Sequence, residues 1–271
     1  MRIISWNVNG IRAVEKKWEL QNLVRDYDPD ILFLQEIKGT PDKFSESLNH
    51  PDPYIAHYNP AEKPGYAGTW VWVHTRVYDT HEVAFLDSFP SDPTANEGRV
   101  AHIELTSNHE QWKIADTNRL HLFGIYFPNG GKSEQAWQDK LIFYTEFAKY
   151  MDELRSSGSR VIWGGDINCA HHAIDLARAK ENDGKIGFHP LERAWLDGRD
   201  RDGWHDLWRE RNPTVTDMYS WWDPVTRSRE RNVGWRIDAF WADTTTHTNI
   251  RHIEYLTEHY GSDHCPILLD M

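Results

Sequence analysis

Residues 2–36 read RIISWNVNGIRAVEKKWELQNLVRDYDPDILFLQE, and the order of patterns within them decides the fold class. Arg2–Val8 (RIISWNV) reads as a buried strand. Val14–Tyr27 has helical spacing, with Trp18, Leu20, Leu23 and Val24 on one side. Asp28-Pro29-Asp30 stops that helix, and Ile31–Gln35 (ILFLQ) follows as a second apolar strand that ends at Glu36. Strand, helix and strand in succession predict a layered α/β fold.

The same alternation continues outward. Strands are predicted at Thr69–Thr75 (TWVWVHT), Val100–Leu105 (VAHIEL) and Leu120–Phe127 (LHLFGIYF), the last running into the turn Pro128-Asn129-Gly130-Gly131. Ser133–Ser156 reads as the longest helix. Ser133 is its cap, and Trp137, Leu141, Phe143, Tyr144 and Phe147 form its apolar face. Arg160–Trp163 starts a strand that leads to Gly164-Gly165-Asp166, and Leu191–Leu196 reads as a short helix. Arg236–Trp241 and Pro266–Leu269 are late strands. No Pro/Ser linker and no repeat interrupts this pattern. The expectation is one domain over residues 1–271, with two sheets packed face to face and helices outside.

Bulk properties narrow the function classes. A chain of 271 residues can bury its own core. Cys169 and Cys265 are the only cysteines, which is no disulfide framework and no metal finger, so two free thiols in a reducing compartment are expected. No apolar run approaches the ~20 residues that cross a bilayer, and MRIISWNVNG does not read as a signal peptide. A cytoplasmic protein without a membrane partner is expected. The net charge of −12 argues against coating nucleic acid through bulk charge, while leaving room for an enzyme with a local basic face. Fourteen tryptophans exceed what a core alone calls for, and aromatic rings also build pockets for sugars and bases.

Polar residues recur where the apolar strands end. Asn7 and Asn9 follow the first strand, and Glu36 ends the second. Tyr126 and Asn129 end a central strand, and Asp166 and Asn168 follow Val161-Ile162-Trp163. Asp238 sits within an apolar strand, and Asp263 and His264 precede the last. One such carboxylate is ordinarily a cap or a turn residue. Their repetition predicts an acidic cleft if the strand ends converge. Carboxylate and amide oxygens suit hard cations such as Mg²⁺ or Mn²⁺. A buried carboxylate can align or deprotonate a water, and His264 can donate to a phosphate oxygen, with Asp238 fixing its tautomer. Metal, acid/base groups and phosphate donors together describe phosphoester hydrolysis.

These residues lie in motifs that resemble the exonuclease III family of abasic-site (AP) endonucleases, within the endonuclease/exonuclease/phosphatase superfamily. The motifs are SWNVNGIRA (5–13), LQEIK (34–38), GYAG (65–68), EGRV (97–100), YFPNG (126–130), GDIN (165–168), IDLA (174–177), NVGWRID (232–238) and GSDHCP (261–266), in the family's order. The resemblance implies a four-layer α/β sandwich, two packed mixed sheets flanked by helices, like that of deoxyribonuclease I. It implies a metal site among Asn7, Glu36, Asp166, Asn168, Asp263 and His264, with Glu36 the main ligand and Asn9 nearby. It makes Tyr126, Asp166, Asn168, Asp238 and His264 catalytic. Asp166 handles the attacking water, Asn168 holds it, and His264 and Tyr126 contact the phosphate. Trp221, Trp235 and Ile237 would wall a pocket for a flipped-out abasic sugar. Tyr66, Arg99, Asn129 and Lys132 would contact the DNA, and the arginines between Arg227 and Arg236 would supply a local basic stretch.

The implied activity is a cut 5′ of the abasic sugar, with 3′→5′ exonuclease and 3′-phosphatase action at the same site. The implied substrate is double-stranded DNA with abasic sites or blocked 3′ ends, and the implied state is a monomer. Three positions depart from the family pattern. Asn9 stands where some members have aspartate, Lys132 where some insert arginine into the duplex, and Ala239 where tyrosine or leucine is common. Trp70 and Trp72 are bulkier than the family pattern and are assigned to core packing. The rival reading is a phosphatase or phosphodiesterase of the same fold acting on inositol phosphates or phospholipid. Such enzymes share the Glu, Asp-Asn and Asp-His parts and are expected to lack GWRID (234–238) and YFPN (126–129).

Overall fold

The computed structural model describes residues 1–86, 88–107 and 118–271. In chain order its strands are β1 (Arg2–Asn7), β2 (Ile31–Gln35), β3 (Tyr54–Asn59), β4 (Thr69–His74), β5 (His81–Leu86), β6 (Val100–Ser107) and β7 (Arg119–Tyr126). They continue as β8 (Arg160–Asp166), β9 (Trp204–Asp206), β10 (Trp221–Trp222), β11 (Gly234–Trp235), β12 (Asp238–Asp243), β13 (His252–Tyr255) and β14 (Ile267–Asp270). One sheet runs β13-β14-β1-β2-β4-β3 and the other β5-β6-β7-β8-β12-β9, with β10 and β11 as a separate ribbon. β1–β2 and β7–β8 are parallel and their outer neighbours antiparallel, so both sheets are mixed.

Side-chain alternation along each strand builds the layers. Ile3, Ile31, Phe33, Val71 and Val73 of the first sheet meet Ile103, Leu105, Leu122, Ile162 and Phe240 of the second. The opposite faces are also apolar. Ile4, Trp6, Leu34, Trp70 and Trp72 pack under Ile11, Val14, Leu20 and Leu23 of the helices Ile11–Lys16 and Glu19–Tyr27. Phe123, Ile125, Val161 and Trp163 pack under Phe143, Phe147 and Met151 of the helix Glu134–Ser156 and Leu196 of the helix Pro190–Arg201. Strands covered on both faces read as continuous apolar runs, which is why they were visible in the sequence. Gly124 closes the contact between sheets. A Cβ there would lie 2.3 Å from the Phe33 ring.

Several elements differ from expectation. The expected helix Val14–Tyr27 is two helices, because Trp18 adopts a left-handed conformation (φ 62°) between them. The break turns its indole outward, 68% exposed, instead of onto the apolar side. The helix predicted at Leu191–Leu196 runs from Pro190 to Arg201. Its capping box uses His189 with Glu192, where a hydroxyl or Asx cap is the usual signal. β3 and β5 are half-exposed edge strands whose weak alternation gave no strand signal. The late strand starts at Asp238, two residues after its expected beginning at Arg236. Among the described residues no helix is long and apolar enough to cross a membrane.

Candidate active site

The polar strand ends meet at one rim of the sandwich. Asn7 closes β1 and Glu36 follows β2. Tyr126 and Asp166 close the parallel neighbours β7 and β8, and Asp238 opens β12 directly opposite Asp166. Asn9, Glu36 and Asn168 all hold positive φ (42°, 52° and 53°). Such backbone is sparsely populated by residues with a Cβ and persists where surrounding contacts over-determine it. Here Gly10 N–H donates to Glu36 O at 2.8 Å, tying the first loop to the second.

A cleft of about 270 Å³ opens among these ends. Glu36, Asp166 and His264 offer ligand atoms within 4.8 Å of one another, a group able to hold a metal ion. Asp166 is 1% exposed and its Oδ1 accepts the Asn168 backbone N–H at 2.9 Å. Burial raises its pKa to about 7, with Asp238 and Glu36 adding to the rise and His264 opposing it. His264 Nδ1 lies 2.8 Å from Asp238 Oδ2, and its Nε2 lies 3.8 Å from Asp166 Oδ2. Burial opposes a charge on that imidazole, yet Asp238 and then Asp166 carry its pKa up to about 10. The Tyr126 phenol is pushed well above its ordinary range by burial and by Glu36 and Asp166, so it keeps its proton at neutral pH.

The hydrogen bonds show how each of these side chains is held. Asn7 is buried in the cluster, but its amide nitrogen faces the carboxylates, donating at 2.9 Å to both Glu36 Oε1 and Asp166 Oδ2. Its oxygen accepts the Asn9 N–H at 3.0 Å and so turns away from the metal-ligand group. In this arrangement Asn7 clamps the two carboxylates together through its amide nitrogen. Asn168 Nδ2 donates to Phe127 O and Asp166 Oδ2, and its Oδ1 accepts from Asn129 Nδ2 at 3.0 Å. His264, expected among the ligands, lies in the candidate metal group with Glu36 and Asp166 and is also bonded through Nδ1 to Asp238. Asp263 stands at the cleft edge, bonded by Asn9 Nδ2 and Trp221 Nε1, both at 3.0 Å.

Arg99 does not reach the surface. It is 3% exposed, pairs with Glu97 and donates to the Tyr66 hydroxyl at 2.8 Å. Its guanidinium lies 4.6 Å from the centre of the Tyr126 ring, so it holds two tyrosines in place. Lys132 is exposed, with Nζ 3.8 Å from the Tyr66 ring centre, and Asn129 is exposed beside it. The basic stretch also divides. Arg236 is buried against Asp175 and Asp206, and Arg229 is spent on the carbonyls of Thr257, His259 and Ser262, which leaves Arg227 and Arg231 exposed.

Trp221, Trp235 and Ile237 do line the cleft, with the two indoles nearly perpendicular (77°). Ile186 and Gly187 complete that wall without any signal in the sequence. Two supports were also missed. Lys140, fully buried on a helix, donates to Asn168 O at 3.0 Å and pairs with Glu192. Ser220 Oγ accepts the N–H of Asp238 at 2.9 Å.

The endonuclease/exonuclease/phosphatase family pattern matches residues 4–264. An exodeoxyribonuclease of Bacillus subtilis (strain 168) is 30% identical over 270 residues, covering 99% of this chain and 98% of the relative. A DNA-(apurinic or apyrimidinic site) endonuclease of Dictyostelium discoideum is 32% identical over 270 residues, covering 98% of this chain and 69% of the relative. The crystal structure of an AP endonuclease from Leishmania major superimposes with a TM-score of 0.85 at 25% identity, covering 99% of this chain and 86% of that one. The chain belongs to the endonuclease/exonuclease/phosphatase family, in its branch of exodeoxyribonucleases and AP endonucleases.

Proposed function

We propose that this cleft cuts double-stranded DNA 5′ of an abasic sugar, leaving a 3′-hydroxyl, and that the same site trims 3′ ends and removes 3′-phosphates. The chain is a DNA-repair nuclease, a hydrolase of DNA phosphodiester bonds. The observation that carries the finer reading is the juxtaposition of the Asp238–His264–Asp166 chain with the wall of Trp221, Trp235 and Ile237 in one cleft.

The donor set fits a hard divalent cation, Mg²⁺ or Mn²⁺. Glu36 would be its main ligand, with Asp166, His264 and Asp263 near. When bound, such an ion neutralises charge on the phosphate oxygens. The chain's own groups divide the remaining work by their proton affinities. Asp166, whose proton affinity burial raises, suits the role of orienting or deprotonating a water, whereas His264, whose proton Asp238 helps hold, donates to a non-bridging oxygen. Asp238 fixes the imidazole, and the Tyr126 hydroxyl donates a second hydrogen bond. Asn168 and Asn7 keep the Asp166 carboxylate aimed.

An intact nucleotide carries a base that this aromatic pocket excludes, and an abasic nucleotide costs less to extrude. Tyr66, Asn129 and Lys132 would contact the duplex backbone and position it without reading sequence. We assign the whole of residues 1–271 to one catalytic domain acting as a monomer in the cytoplasm. The buried free thiols Cys169 and Cys265 are compatible with a reducing compartment. End-group analysis of the cut strand tests the reaction. A product that a DNA polymerase extends directly supports hydrolysis 5′ of the lesion, and a product with a blocked 3′ end contradicts it.

A further inference from the structure

We infer that His205, Glu210 and His247 form a second metal site, for a borderline-soft divalent cation of the zinc class, at the edge of the second sheet. The three residues come from three elements: the edge strand β9, the helix Leu207–Arg211 and the helix Thr244–His247. Their ligand atoms lie within 4.8 Å of one another. The catalytic cleft is elsewhere. His205 pairs with Ala242 on β12, four residues beyond Asp238, which is about 13 Å along the strand.

The hydrogen bonds fix which nitrogen of His205 is free. Thr244 Oγ1 lies 3.1 Å from Gly203 O and 3.1 Å from His205 Nε2. A carbonyl only accepts, so the single hydroxyl proton goes to Gly203, and the hydroxyl accepts from His205 Nε2–H. In a neutral imidazole the lone pair then sits on Nδ1, which faces Glu210 Oε1 at 3.4 Å. Two acceptors facing each other need a positive charge between them. A proton is one solution and a metal ion is the other.

Two features favour the metal. His247 Nε2 approaches the other oxygen of the same carboxylate at 2.6 Å, so both imidazoles converge on Glu210. The two rings stack with centres 4.5 Å apart, which opposes charging both at once. Two imidazoles and one carboxylate suit zinc, whose tetrahedral ligands at about 2.1 Å stand roughly 3.4 Å apart; His205 Nδ1 and Glu210 Oε1 already stand at 3.4 Å, and the 2.6 Å contact of His247 with Glu210 would open when an ion replaces the proton between them. The Thr244 contact supplies the outer hydrogen bond that a ligating histidine uses to fix its orientation. The residues are 24%, 43% and 25% exposed at their side chains, so the ion is reachable and a water completes its shell.

This site does not depend on the catalytic reading, and its test avoids activity. Zn²⁺ binding is measured on the full chain by equilibrium dialysis and metal analysis in a Glu36→Gln background, which weakens the catalytic cluster. The expected result is one more bound Zn²⁺ per chain than in the same background carrying His205→Ala and His247→Ala, with a Zn²⁺-dependent rise in Tm confined to the former. Glu210→Gln preserves size and is expected to weaken binding at least tenfold, which guards against misfolding of the double variant. Equal stoichiometry and equal Tm shifts in all three would overturn the proposal.

Discussion

Asp238 Oδ2 lies 2.8 Å from His264 Nδ1, with both side chains buried, and the imidazole's other nitrogen points at Asp166. The raised pKa of His264 makes this a pH-dependent relationship. The folded value, about 10, stands above the unfolded one, so the stabilising contribution is complete below about 6.5 and is lost as pH rises through about 10. Asp238→Asn removes the charge that holds the proton. It is expected to cut turnover roughly a hundredfold or more and to bring the alkaline limit of activity down toward neutrality. A pH–rate profile checks both.

Asp166→Asn keeps the side-chain size and removes the proton acceptor. Turnover on abasic DNA is expected to fall at least roughly a hundredfold, with DNA affinity much less changed. Single-turnover kinetics alongside binding of uncleaved duplex separates the two effects. A near-normal rate removes Asp166 from the chemistry.

Trp235 faces the cleft at right angles to Trp221, and Gly187, at φ 89°, lets the indole approach the backbone. Trp235→Ala is expected to reduce selectivity for abasic over intact duplex more than it slows 3′-end trimming. Equal losses in both reactions would sink the pocket assignment.

Asp175 is a structural carboxylate beneath the site. Burial would raise its pKa, but Arg236 and Arg209 outweigh that and hold it well below the usual carboxylate range. Its contribution is therefore present above about 3.9 and fades as pH falls further. Asp175→Asn leaves two buried guanidiniums under-compensated and is expected to cost about 3–5 kcal/mol at pH 7. Urea unfolding at pH 7 and near pH 3 measures it, and the difference from wild type is expected to shrink at the lower pH.

The strands that carry the chemistry were legible because both of their faces are covered. ILFLQ and RVIW announce themselves as apolar runs, and the polar residue after each run stands out. Trp18 was misplaced because one left-handed residue rotates everything after it, and an indole gives no warning of that. Arg99 and Arg236 read as basic surface because a letter does not record its partner. Glu97 is two positions from Arg99, but Asp175 and Asp206 reach Arg236 only through the fold. The same limit hid Lys140, whose ammonium is spent on backbone carbonyls and Glu192 beneath the cleft. Asn7 and Asn168 were found as site residues, but the direction of an amide is set by its neighbours and not by its position in a motif.

The most direct test is a labelled duplex carrying one tetrahydrofuran abasic analogue, incubated with the chain in Mg²⁺ and in EDTA beside an intact duplex. The account predicts Mg²⁺-dependent cutting 5′ of the analogue, little internal cutting of the intact duplex, and loss of cutting in EDTA. Absence of cleavage with either Mg²⁺ or Mn²⁺, or equal internal cutting of both duplexes, would contradict it.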